Sequence, residues 1–159
     1  MMKAVRTISI FLVLLFAWFV WASLRDTRRP DRYLIPDGYI GQVRIEYRVK
    51  GAPKLPIENG YFLLKVPDSG RLQTSSVMQD GWASDEYYYV SKKGRREIKF
   101  TGWGEGGMIW ADSMEPHGAN EKFFVGTEQQ WRKADGRPGG YSDGPLDPKT
   151  LLPLKQKHK

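Results

Sequence analysis

The residues best placed to do chemistry are Asp112, Glu115 and His117, which lie close together in the run Ala111-Asp112-Ser113-Met114-Glu115-Pro116-His117, with Glu105 a short way upstream. Carboxylates and an imidazole are oxygen and nitrogen ligands for a metal ion, and the same groups could serve acid–base chemistry in a hydrolase. Pro116 stiffens the run, so a single loop does not by itself converge the three side chains on one point. His117 is the only histidine before the far C-terminal His158, so a Ser-His-Asp arrangement would need it together with Ser69, Ser75, Ser76, Ser84, Ser91 or Ser113. None of these serines has the strand–turn–helix context of a nucleophile elbow. Asp85 and Glu86 are adjacent, and neighbours in a strand point to opposite faces. The glycine-rich run Gly102-Trp103-Gly104-Glu105-Gly106-Gly107 lacks the Lys-Ser or Lys-Thr of a phosphate loop and precedes a strand rather than a helix.

The chain contains no cysteine, which removes disulfides, thiolate metal sites, iron–sulfur clusters, thiol nucleophiles and a lipid-modified cysteine. The resulting expectation is a protein that is not an enzyme, with no catalytic residue, no metal and no cofactor. The alternative is an envelope hydrolase or metal-dependent enzyme centred on Asp112, Glu115 and His117. A more promising feature is aromatic: Trp82, Tyr87, Tyr89, Trp103 and Trp110 gather in the second half of the chain. If exposed on one face, they form a candidate binding surface for a protein or a glycan.

The elements that must position these residues begin with an apolar run. Thr7 to Leu24 carries no charge, and at 1.5 Å per residue it reaches about 27 Å, close to the bilayer's hydrocarbon thickness. Residues 1–24 therefore read as a transmembrane anchor or signal segment, with Trp18 and Trp21 favouring an uncleaved anchor and Val20-Trp21-Ala22 offering the competing cleavage site. Residues 25–32 read as a basic juxtamembrane linker in which Arg25, Arg28, Arg29 and Arg32 face anionic lipid. The four arginines after the run slightly outweigh Lys3, Arg6 and the N-terminal amine before it, which favours a cytoplasm-facing domain; the expected topology is nevertheless single-pass with the domain on the exported side, since a short tail before a lone apolar segment usually stays inside. The net charge of +7 resolves into +2 in residues 1–24, +2 in 25–36, −1 in 37–131 and +4 in 132–159. A near-neutral domain removes the case for nucleic acid as partner.

Strand signals fill the middle of the chain. Tyr39, Gly41, Val43, Ile45 and Tyr47 alternate with Gln42, Arg44 and Glu46, the period of a half-buried strand. Asn59-Gly60 predicts a tight hairpin leading into Tyr61–Val66, and Lys92-Lys93-Gly94-Arg95 predicts another between Glu86–Val90 and Glu97–Phe100. Leu72–Val77, Met108–Ala111 and Lys122–Val125 complete the set, with a short helical turn over Glu128–Lys133. Seven or so short strands predict a mainly β fold, a small antiparallel β-sandwich of immunoglobulin or transthyretin type over residues 33–131, preceded by one hydrophobic helix. Residues 132–159, rich in glycine and proline, read as a flexible basic tail.

The block Tyr33-Leu34-Ile35-Pro36-Asp37-Gly38-Tyr39-Ile40-Gly41-Gln42-Val43, followed by Pro56-Ile57-Glu58-Asn59-Gly60-Tyr61, Val66-Pro67-Asp68-Ser69-Gly70 and Phe123-Phe124-Val125-Gly126-Thr127, resembles a family of bacterial domains of unknown function. The resemblance implies a small envelope or membrane-anchored protein and carries over no activity or catalytic residue. The pattern is also similar, at the level of strand and turn order, to transthyretin-like, carboxypeptidase-regulatory-type sandwiches. Taken together these readings predict a membrane-anchored, non-enzymatic binding or assembly module of the cell envelope. Its partners would be membrane lipid and an unidentified envelope protein or glycan.

Overall fold

The computed structural model describes residues 2–23, 27–99, 108–114, 120–135, 144–146 and 149. The first element is α1 (Met2–Ser23). Its described side chains, Phe11 to Ala22, are all exposed. Among the described residues no helix is long and apolar enough to cross a membrane, so the single-pass crossing expected from Thr7–Leu24 is not found there.

Two mixed sheets make up the rest. The first has the order β3 (Ile57–Glu58), β4 (Tyr61–Lys65), β1 (Asp31–Pro36), β6 (Glu86–Ser91) and β7 (Gly94–Glu97). In the second, β2 (Gly41–Glu46) pairs β9 (Asn120–Val125), which pairs β8 (Ile109–Met114). The other edge of β2 is shared by β5 (Arg71–Gln73) and β10 (Gly144–Pro145), with α2 (Glu128–Asp135) between β9 and β10 in the chain. The mainly β prediction holds, but the sheets are not antiparallel throughout: β1 runs parallel to both β4 and β6, and β5 runs parallel to β2. The connectivity explains why. After β1 the chain crosses to the second sheet for β2, returns for β3 and β4, crosses for β5 and returns for β6. The first excursion returns at β3 running against β1, and the β3–β4 hairpin restores the direction for β4; the second returns directly at β6, parallel to β1.

Alternation decides the core. Tyr33 and Ile35 of β1, Val43 and Ile45 of β2, Leu64 of β4, Tyr87 and Tyr89 of β6, and Phe123 and Val125 of β9 form one buried cluster contributed by both sheets. Tyr33 stacks on Tyr87 at 4.6 Å between centroids, and Phe123 meets both edge-on, arrangements that aromatic quadrupoles favour. Both predicted hairpins form, but the return strand of the second, expected over Glu97–Phe100, is β7 at Gly94–Glu97, so that Gly94 and Arg95 belong to the strand and not to the turn. Asn59 and Gly60 both take positive φ, 51° and 88°, the geometry of the tight turn joining β3 to β4.

Two boundaries move. The segment read as a linker is part of the domain, since β1 starts at Asp31 and Thr27 is already bonded to Trp82. The segment read as a flexible tail also contributes, because α2 runs to Asp135 and Gly144–Pro145 pair with β2. A Cβ on Gly41 would overlap the backbone of Gly144, so the close approach depends on that glycine. Leu146 then joins Trp110, Phe124 and Ala134 in a second buried cluster, with Trp131 stacked on Trp110 at 5.4 Å.

Candidate functional site

Among the described residues, a cluster of paired polar side chains lies where the chain enters β1. Arg28, with only 6% of its side chain exposed, bonds Asp31 at 3.0 Å and Asp85 at 2.5 Å. The Asp85 carboxylate also accepts the Asp31 backbone N–H at 2.7 Å. Two carboxylates thus share one guanidinium. Burial and the neighbouring Asp85 charge push the Asp31 carboxyl up to about 6 despite its pairing with Arg28. Burial opposes the Arg28 charge, but the hydrogen bond and charge of Asp85, with the charge of Asp31, outweigh it and hold the guanidinium more firmly protonated than usual.

Beneath this cluster is a buried acid that alternation made legible but that sequence reasoning overlooked. Glu121 is 2% exposed and lies on β9 with Phe123 and Val125, two and four residues on, so the period of two turns it inward. Its carboxylate accepts the Tyr33 hydroxyl at 2.6 Å and the Tyr47 hydroxyl at 2.8 Å. Burial first, then the Glu121 charge, raises both phenols above their ordinary value. With all three side chains buried, solvent and substrate have no path to the carboxylate, and the group acts as a polar pin between β1, β2 and β9.

The basic flank differs from its prediction. Arg28 is enclosed as described, and Arg32 bonds Glu86 at 2.8 Å, lies 3.6 Å from Glu58 and covers the Tyr61 ring at 4.0 Å. Arg29 packs over Phe62 and donates its backbone N–H to Gln79. Arg25 lies outside the described residues. Of the acidic partners only Asp31 is local; Asp85, Glu86 and Glu58 come from distant parts of the sequence, so the local count of charges could not reveal that Arg28 and Arg32 are neutralised within the domain.

The four described members of the predicted aromatic surface do not share one exposed face. Tyr87 and Tyr89 belong to the main core and Trp110 to the second cluster, while Trp82 is 67% exposed. Trp103 lies outside the described residues. The reason is again alternation: on β6 it is Tyr88 that faces away from the core, and Trp110 is covered by α2 through Trp131. Of the alternative metal or acid–base loop, Glu115, His117 and the side chain of Asp112 lie outside the description. Among the described residues no group of three metal-ligating side chains converges.

Two surface depressions are lined by described residues. One, of about 280 Å³, is mostly apolar, lined by Leu55, Leu63 and Leu72 with Pro53 and Pro56, and has Lys54 and Lys65 at its margin. The other, of about 240 Å³, lies at the β6–β7 tip between Asp37, Tyr89, Lys93, Arg95 and Arg96. There Arg96 bonds Asp37 at 3.0 Å and lies over the Tyr89 ring, while Arg95 bonds Glu58 at 2.7 Å.

Comparison with known proteins agrees with the motifs between Tyr33 and Thr127. The chain is similar to a crystal structure described as that of a "Putative Lipoprotein from Bacillus anthracis", at 24% identity over 82% of this chain and 85% of that one, with a TM-score of 0.47. A search of the curated proteins finds no match. Residues 27–131 match the family described as "Family of unknown function (DUF6843)". That match starts at Thr27, where the structure places the first bonds of the domain, and the chain belongs to this family.

Proposed function

We propose that this protein is a membrane-anchored, non-enzymatic binding module of the cell envelope, held by α1 as a single-pass anchor with its β domain on the exported side. The observation that carries this reading is the outward display of Phe11, Phe16, Trp18, Phe19 and Trp21 on α1, within an uncharged run long enough to match a bilayer core. Water penalises such a surface, at roughly 25 cal/mol per Å² of apolar area, and lipid removes the penalty. A binding role is supported by the leucine-lined depression, which stays open, whereas Arg28, Asp31, Asp85, Arg32 and Glu86 are engaged in structural pairs. Lysines at its margin suit a partner segment that presents an apolar side chain beside an acidic one.

In-cell photo-crosslinking tests the reading. A crosslinker placed at Lys54, on the margin of the depression, should yield a discrete adduct with a second envelope component. A crosslinker at Lys99 serves as the control for random contact. Adducts of the chain with itself alone would replace the partner reading with self-assembly, and equal adducts from both positions would overturn the depression as the binding surface.

A further inference from the structure

Trp82 joins an exposed indole to a rigidly held backbone at the point where the chain enters the domain. Its backbone N–H donates to the Thr27 hydroxyl at 2.7 Å, and its carbonyl accepts the backbone N–H groups of Thr27 at 2.7 Å and Arg28 at 3.3 Å. Arg28 also donates from Nε to the Gly81 carbonyl at 3.1 Å. The approach is close enough to require glycine at position 81, where φ is +124° and a Cβ would lie 2.5 Å from the Thr27 hydroxyl. The β5–β6 loop is therefore clasped to the segment that follows α1, yet Trp82 and Val77 in that loop remain largely exposed.

Covalent geometry adds a limit that does not depend on the path of the intervening chain. From Ser23, at the end of α1, to Thr27 the backbone reaches at most about 14 Å. Trp82, bonded to Thr27, cannot stray much farther from the end of the helix than that. We infer that Trp82 is a membrane-contact residue, an interfacial aromatic that seats the Thr27 end of the domain in the lipid headgroup layer. This rests on the anchored reading proposed above and holds whether α1 crosses the bilayer or lies in its surface. The headgroup layer is about 5–8 Å deep on each side of the hydrocarbon core, and an indole with an apolar body and one N–H donor suits that depth.

The register fixes what lies at the opposite end. Arg32 pairs with Glu86 and Pro36 with Val90, so Lys93 in the β6–β7 turn stands beyond the far end of β1, about 20 Å along the strand, while Arg95 and Arg96 pair back beside Val90 and Tyr89. Seating the Trp82 end on lipid turns that cationic tip away from the bilayer.

Because the chain has no cysteine, single labels are unambiguous. Asp80→Cys and Lys93→Cys variants of the full chain, each carrying an environment-sensitive fluorophore, are reconstituted in phosphatidylcholine–phosphatidylglycerol vesicles containing headgroup-level quencher lipids. Flotation first reports whether the chain holds to vesicles at all; failure to float overturns the anchored reading and this inference with it. If the chain floats, the label at position 80 should be quenched and blue-shifted while the label at 93 is not. Trp82→Ser should reduce quenching at 80 without loss of flotation. Floating vesicles with an unquenched label at 80, or equal quenching at both positions, would overturn the membrane contact of Trp82 and leave the anchored reading standing.

Discussion

At the scale of single residues, the buried polar groups dominate. Glu121 satisfies two tyrosine hydroxyls in the core, and removing an acceptor from buried donors costs their desolvation. Glu121→Ala should therefore destabilise the domain by about 2–5 kcal/mol, counting the small cavity as well. Glu121→Gln, which keeps one acceptor, should cost less; denaturant unfolding of the detergent-solubilised chain measures both. Asp31 gives a prediction with a sign. Its carboxyl binds a proton more tightly in the folded state, near 6, than at its ordinary value of 3.8. Folding thus takes up a proton within that window, and stability falls as pH rises from about 4 to about 6, then levels, by a few kcal/mol at most. Asp31→Asn should flatten this slope relative to the parent chain. An unchanged slope would place the proton elsewhere.

At the scale of elements, legibility followed locality. Both hairpins rest on a few adjacent residues, Asn59-Gly60 and Lys92-Lys93-Gly94, so the sequence displays them directly. The inward sets on β2, β4 and β9 follow from a period of two. Pairing between distant strands leaves no such trace, which is why the parallel placement of β1 between β4 and β6 was invisible, and why Arg28 and Arg32 were mistaken for a free basic flank. The C-terminal segment misled for a related reason: Leu146 stands among glycines and prolines, yet a single leucine suffices when Gly41 lets the backbone approach β2. Leu146→Ala should cost about 2–4 kcal/mol and speed proteolysis near Gly144, whereas truncating a detached tail would cost nothing. Gly81→Ala should loosen the Thr27–Trp82 clasp by about 1–3 kcal/mol through strain at positive φ, read as faster amide exchange at Trp82.

At the scale of the whole molecule, the +7 charge no longer points to a polyanion. Two of the four flank arginines, Arg28 and Arg32, are neutralised inside the domain, and the described residues display an apolar helix at one end of the chain and a cationic tip at the far end of β1. This layout suits a module that stands on a membrane and presents its outer end to a partner. The most direct measurement is fractionation of cells expressing the full chain, with a carbonate wash and protease added outside spheroplasts. The chain should stay in the washed membrane pellet, and its domain should be digested from outside while a cytoplasmic marker survives. A chain released by carbonate, or a domain protected until the membrane is broken, would contradict the anchored, exported reading.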